Sequence, residues 1–182
     1  MKRILFIAVI LLLAGTVAWT QESLVTFSGG YAFANLSESE TNATGWRING
    51  LYEFNPQGGK LAHGISFGFI STAATASTED AEYNLHTWPL YYAPKIMFGK
   101  DKFKAFVKGA MGLHFSNYKR TGSAGEVDFN DTGFYGGASA GVMIFIKENI
   151  FINAEYEWAF MSNSDIQNIM MNSAMGGLGI RF

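Results

Sequence analysis

The chain contains no cysteine, only three prolines and no excess of positive charge. The absence of cysteine excludes disulfide bonds and thiolate chemistry. Beyond residue 18 no stretch approaches the roughly 20 consecutive apolar residues of a membrane-spanning helix, which excludes helical spans. The charge balance gives no basis for nucleic-acid binding, which depends on clustered positive charge. The chain is instead rich in glycine, with 21 residues, and in phenylalanine, with 16.

The N-terminus has the pattern of a signal peptide. Lys2 and Arg3 precede an uninterrupted apolar run, Ile4–Ala14, and small residues follow it. A charged start, a short apolar stretch and a small-residue cleavage site are typical of an exported protein. We expect cleavage after Ala18 or Thr20. An uncleaved N-terminal anchor is the alternative.

Residues 1–20 are therefore the predicted signal peptide, and residues 21–182 the predicted domain. In this domain apolar side chains alternate with small or polar ones, as in Phe27, Tyr31 and Phe33, which are separated by glycine, serine and alanine. Successive side chains of a strand point to opposite faces. Alternation with a high total apolar content is typical of a membrane β-barrel, whose outer face meets lipid.

Eight alternating segments are found, and the connections between them alternate in length. The predicted long loops are Ser37–Thr44, Ser71–Glu82, Lys119–Asp131 and Ser162–Gln167. The predicted short turns are Asn55–Gly59, Gly99–Lys102 and Lys147–Asn149. Long outer loops and short periplasmic turns are characteristic of outer-membrane barrels, and an even strand number places both termini in the periplasm.

The fourth segment is the least regular. Tyr83 and Leu85 are out of phase with the apolar residues that follow them, and Pro89 and Pro94 remove ladder donors. We expect a β-bulge near His86 to reconcile the two halves.

The last residues form an alternating tail that ends in an aromatic side chain. Leu178, Ile180 and Phe182 share one face, and Gly177 lies on the other. The tail resembles the C-terminal insertion signal of outer-membrane proteins. On that resemblance Gly177, Ile180 and Phe182 form the assembly signal.

The domain resembles the small outer-membrane barrels of the OmpA, OmpX and opacity-protein type. The residues that carry the resemblance are the glycine-spaced segment Ala105–Leu113 and the tail Met175–Phe182. The expected fold is all-β: an eight-stranded antiparallel up-and-down transmembrane β-barrel after an N-terminal signal peptide. The resemblance implies insertion by the barrel-assembly machinery among outer-membrane lipids and lipopolysaccharide. It implies no particular activity.

Charged side chains occur on the inward face. An eight-stranded barrel is just wide enough for side chains to fill its interior, so these charges need partners or water. The inward bases are Arg47, Lys95, Lys104, Lys108 and Arg181, and the inward acids are Glu53, Glu155 and Glu157. We expect them to form a salt-bridged plug, with a pathway for ions or solutes as the alternative.

The predicted outer loops are acidic. Their nine acids are Glu38, Glu40, Glu79, Asp80, Glu82, Glu126, Asp128, Asp131 and Asp165, opposed by Lys119 and Arg120. No loop has the regular ligand spacing of an EF-hand, so we predict a solvated anionic face with no metal site and no cofactor. Weak binding of Ca²⁺ or Mg²⁺ near lipopolysaccharide is the alternative.

One short motif is similar to a catalytic one. The segment His114-Phe115-Ser116-Asn117 resembles the His-x-Ser-Asn motif of the outer-membrane lipid A deacylases, which are also eight-stranded barrels. On that resemblance His114 is the base and Ser116 the nucleophile, with Glu126 or Asp128 as the orienting carboxylate. In the deacylases the motif lies closer to the C-terminus, whereas in this sequence three predicted strands follow it.

These features predict a non-enzymatic outer-membrane protein that serves envelope integrity, or surface interaction and adhesion, through four outer loops. Extracellular ligands or a host surface are the expected partners. A narrow channel for small solutes and a lipid A deacylase are the alternatives.

Overall fold

The computed structural model describes residues 22–36, 41–56, 59–76, 81–100, 102–123, 125–162 and 168–182. The predicted signal peptide lies outside these residues. The strands are β1 (Glu22–Leu36), β2 (Thr41–Asn55), β3 (Leu61–Ala76), β4 (Ala81–Tyr92), β5 (Lys95–Lys100), β6 (Phe103–Gly122), β7 (Gly125–Lys147), β8 (Ile150–Met161) and β9 (Ile169–Arg181). None of the described residues forms a helix long and apolar enough to span a membrane.

The strands close into a ring. β1 pairs with β2 on one side and with β9 on the other, always antiparallel. β4 and β5 share one position in the wall, because both pair with β3 and β6 in one continuous register, with only Ala93 and Pro94 between them. The ring therefore has eight positions, and the predicted eight-stranded antiparallel barrel is confirmed.

The predicted bulge near His86 is wrong. The pairing of β4 with β6 continues without a shift from Glu82 to Tyr92. Tyr83 and Leu85 are buried inside the barrel and belong to the same alternation as the rest of the strand. Apolar side chains were expected on the outer face, but Tyr83 and Leu85 belong to an apolar cluster inside the barrel. The sequence alone therefore suggested a change of face where none occurs.

The predicted long loops are shorter than expected. β2 begins at Thr41, β3 continues to Ala76, and β6 and β7 stay paired as far as Gly122 and Gly125. Gly125 closes that hairpin with a φ of 114°, a conformation that glycine adopts without steric cost. Polar side chains suggested loops here, but a strand ladder depends on backbone hydrogen bonds and does not need apolar side chains. The connections 37–40, 77–80 and 163–167 lie outside the described residues.

The two ends of the barrel differ. The end that carries Glu22, Phe182 and the turns after β2, β5 and β7 is called the terminus end here. The opposite end, with the β6–β7 hairpin, is called the hairpin end. Between them, large apolar side chains face outward from every strand, and Phe182 itself is 67% exposed.

The tail closes the barrel at its seam. The Ser23 N–H donates to the Phe182 carbonyl at 2.9 Å, and the Phe182 N–H donates back to the Ser23 carbonyl at 2.9 Å. Ile180 and Phe182 face outward, whereas Gly177 faces inward beside Ser28. Their predicted role as an assembly signal stays a prediction.

Two adjacent glycines of β1 allow a matched test of this packing. A Cβ on Gly30 would overlap the Ala174 carbonyl oxygen of β9, whereas a Cβ on Gly29 would stand 3.5 Å from the nearest atom, the Arg47 carbonyl oxygen. We expect Gly30→Ala to lower the free energy of unfolding by about 1–3 kcal/mol because the strands must move apart. Gly29→Ala should leave it unchanged or raise it slightly. Urea unfolding in lipid vesicles measures both, and equal effects of the two substitutions would contradict the packing described.

Candidate functional site: the barrel interior

A layer of charged side chains crosses the middle of the barrel. It consists of Arg47 and Glu53 from β2, Lys95 from β5, Lys108 from β6, and Glu155 and Glu157 from β8. These six residues are called the charge layer here. Each lies on the inward face of its strand, where every second side chain points into the barrel.

Glu157 is the centre of the charge layer. Its Oε1 lies 2.5 Å from Nη1 of Arg47, and its Oε2 lies 3.8 Å from Nζ of Lys108. Lys108 also forms an ion pair with Glu155, with 2.5 Å between Nζ and Oε1. One carboxylate is thus shared between two cations that come from opposite sides of the ring.

A second ion pair completes the layer. Nζ of Lys95 lies 2.6 Å from Oε2 of Glu53. The same ammonium group stands 4.7 Å from the centroid of the Phe106 ring, whose electron-rich face favours a cation.

Two tyrosines extend the network. Arg47 Nη2 donates to the Tyr91 hydroxyl at 3.1 Å, and the Tyr135 hydroxyl donates to Glu157. The two tyrosine rings stack with centroids 5.0 Å apart. Sequence reasoning missed these hydroxyls, although the inward parity of Tyr91 and Tyr135 on their strands was a usable signal.

The charge layer excludes water. Arg47, Lys108 and Glu157 are each only 1% exposed, and Glu53 is fully buried. A water-filled passage beside these groups would show as accessible surface. The interior is therefore closed at this level, and the charges are compensated by one another, as buried charges require.

Apolar side chains pack the interior on both sides of this layer. Towards the terminus end lies a cluster that includes Leu24, Met97, Met143 and Phe151. Another cluster, which includes Leu85 and Met161, extends towards the hairpin end. The barrel interior resembles the core of a soluble domain with one charged layer inside it.

The remaining two predicted lumen bases lie apart from the charge layer. Arg181 and Lys104 are near the terminus end, where both approach Glu22, at 3.0 Å and 3.9 Å respectively. The alternation predicted from Leu24 onward does not include Glu22, although Glu22 lies two residues earlier and faces inward like Leu24.

The structure brings His114 and Ser116 together inside the barrel. Nε2 of His114 lies 2.9 Å from the Ser162 carbonyl oxygen, which only accepts, so Nε2 carries the hydrogen. Nδ1 of the neutral ring then accepts from the Ser116 hydroxyl at 2.8 Å. The Thr87 hydroxyl lies 2.9 Å from the same serine oxygen.

The prediction that Glu126 or Asp128 orients His114 is wrong. Glu126 and Asp128 are exposed on the outer face of β7, where Glu126 pairs with Lys119 and Asp128 accepts from Asn117. His114 lies on the opposite face of the sheet and is fully buried. A buried serine cannot meet a lipid that stays outside the barrel wall.

No metal centre is formed by the described part of the chain, where no three acidic, histidine or cysteine side chains come close enough to hold an ion. Of the nine predicted loop acids, Glu38, Glu40, Glu79, Asp80 and Asp165 lie outside it.

Comparison with known proteins identifies the family. A sequence profile of the outer membrane protein beta-barrel domain matches residues 4–182. The chain belongs to the outer membrane protein beta-barrel domain family. Its place is accordingly the bacterial outer membrane. No curated protein is similar enough in sequence to count as a match.

Solved structures share the fold of this outer-membrane barrel. Neisserial surface protein A is 15% identical, with a TM-score of 0.70 over 88% of this chain and 97% of its own. Ail, the attachment invasion locus protein of Yersinia pestis, is 17% identical, with a TM-score of 0.56 over 88% of this chain and 98% of its own. At these identities the likeness shows the fold alone.

The charge layer makes a differential prediction about stability. Glu157→Gln leaves Arg47 buried without a counter-charge, which should lower the free energy of unfolding by about 3–5 kcal/mol. Arg47→Met should cost less, because Glu157 keeps Lys108 and the Tyr135 hydroxyl. Glu126→Gln, in an exposed pair, is the control and should change nothing measurable. Urea titration, followed by the heat-modifiable gel band, measures the free energy of unfolding of all three variants. An unchanged value for Glu157→Gln would contradict the claim that Glu157 compensates the buried Arg47.

The position of His114 and Ser116 predicts that they do not act on lipid. Lipid A extracted from cells that express the barrel should keep all its acyl chains, and Ser116→Ala should give the same mass spectrum. Loss of an acyl chain that Ser116→Ala abolishes would establish the deacylase and overturn this prediction.

Proposed function

We propose that this outer-membrane barrel is a non-enzymatic surface protein that binds extended segments of other proteins through its β6–β7 hairpin. The observation that carries the proposal is the hairpin's length beyond the lipid-facing surface. The closed interior and the buried His114–Ser116 pair support a role outside the lumen.

The hairpin continues past the apolar belt. Phe115 and Phe134 are the last exposed apolar residues on the outward faces of β6 and β7. Beyond Phe115 that face carries polar side chains such as Asn117 and Lys119. The seven residues Ser116–Gly122 span roughly 23 Å along the strand, so the hairpin tip stands well clear of the lipid.

One edge of this hairpin has no paired strand among the described residues. The pairing of β7 with β8 stops at Tyr135 and Met161, whereas β7 itself begins at Gly125. On the edge away from β6, Phe134 bonds to Ser162, whose N–H donates to its carbonyl and whose hydroxyl accepts from its N–H, each at 3.0 Å. An open edge is a template for another extended chain.

The backbone groups of the open edge can be assigned. Phe134 directs its N–H and C=O away from β6, and this direction repeats every second residue. Glu126, Asp128 and Asn130 therefore present their backbone groups at the edge. At Thr132 the N–H already donates to the Asp131 carboxylate, at 2.7 Å.

Side chains add a chemical preference to this edge. Glu126 and Asp128 line its outer face, and Val127 lies 48% exposed on the other. An added strand that alternates basic and apolar side chains would complement both faces. Its basic residues would lie opposite the two acids.

The orientation belongs to the same proposal: the hairpin end is extracellular and the terminus end periplasmic. The absence of cysteine allows a clean test by single substitutions. A membrane-impermeant maleimide should label Ser123→Cys, at the hairpin tip, on intact cells. It should label Asn149→Cys, in the β7–β8 turn, only after permeabilisation. The reverse pattern would invert the orientation.

Adherence measurements test the function. Expression in a Gram-negative host without adhesins should increase binding to epithelial monolayers or immobilised matrix proteins. Asn130→Pro should abolish most of the increase, because it removes an edge N–H that β6 does not use. Asn130→Ala is the matched control, since both variants lose the side-chain contact with Asn117 but alanine keeps the N–H. No increase on expression, or equal adherence of the two variants, would contradict the proposal.

A further inference from the structure

Four lysines mark the edge of the lipid-facing surface at the terminus end. Each lies one or two residues from the last exposed apolar side chain of its strand. The pairs are Lys60 with Leu61, Lys100 with Phe98, Lys102 with Phe103, and Lys147 with Ile146. Because a strand rises about 3.3 Å per residue, these ammonium groups stand at the level where acyl chains give way to headgroups.

These lysines have no acidic partner among the described residues. The nearby cations differ, since Lys104 and Arg181 both pair with Glu22. At the hairpin end Lys119 is paired with Glu126. Asp101, in the turn between β5 and β6, lies outside the described residues.

The four lysines occupy one continuous arc of the wall, at the terminus-end limits of β3, β5, β6 and β7. Their turns adjoin one another: the Met97 N–H donates to the Lys60 carbonyl at 2.8 Å, and the Phe145 N–H donates to the Lys102 carbonyl at 2.8 Å. Of the described acids near this end, Glu22 lies on β1 beside Arg181, and Glu148 follows Lys147 in the turn after β7, at one end of the arc. The four exposed lysines without an ion pair among the described residues are therefore grouped along one side of the barrel.

We propose that this lysine arc binds the headgroups of anionic phospholipids. Each lysine adjoins a lipid-facing apolar side chain, so a lipid can place its phosphate on the ammonium group and its acyl chain on the neighbouring apolar surface. A soluble phosphate would gain only the first of these contacts. The lysine arc thus selects annular lipid on one side of the barrel, whatever the hairpin binds.

Spin-labelled lipids test the proposal in reconstituted vesicles. The fraction of label immobilised by the protein should be higher for phosphatidylglycerol than for phosphatidylcholine, with a relative association of roughly fivefold at low salt. The preference should fall at high salt, because exposed charges are screened.

The variants separate charge from fold. Replacing all four lysines by glutamine should bring the relative association close to one, whereas replacing them by arginine should preserve it. Lys119→Gln is the matched control at the hairpin end and should change nothing. All four side chains are exposed, so the variants should fold, and heat-modifiable migration checks this. If the quadruple variant does not fold, the double variant with Lys60→Gln and Lys147→Gln should still show a smaller loss of the preference for phosphatidylglycerol. An unchanged preference after removal of the lysines, or no preference in the parent barrel, would overturn the proposal.

Discussion

The ion pairing of Glu157 with Arg47 and Lys108 is the constraint on which the interior depends. An eight-stranded wall leaves no room for hydrated charges, so each buried cation needs a carboxylate at contact distance. Tyr91 and Tyr135 use their hydroxyls to complete the same network. The apolar clusters on either side then pack against a layer that is almost entirely buried. At this level the described residues fill the interior of the barrel.

A closed charge layer favours functions at the surfaces of the barrel. Among the described residues the His114–Ser116 pair is buried beside Thr87. The surfaces to which we assign functions are the β6–β7 hairpin, the apolar belt and the lysine arc at the terminus end. These surfaces need a rigid wall, because an open strand edge is useful only when its backbone groups are held in place.

The alternation of the sequence predicted which side chains face the interior, but not their level along the barrel axis. A period of two fixes the face of a residue, so Arg47, Lys108 and Glu157 were assigned to the interior. It does not tell which residues meet across the lumen, and Arg47 and Glu157 are 110 positions apart. Lys104 and Arg181 share the inward face yet form a separate group with Glu22. The predicted loop 119–131 is largely a paired hairpin, because polar side chains on both strands hide a ladder that depends on backbone hydrogen bonds.

Conductance in planar lipid bilayers tests the closed interior most directly. Purified barrel inserted into a bilayer should give no steady current at moderate voltage, because the charge layer leaves no continuous water path. Its insertion can be verified independently by protease protection and by heat-modifiable migration. A stable, ohmic current from the inserted barrel, with unit steps that scale with salt concentration, would contradict the account of a paired and closed core.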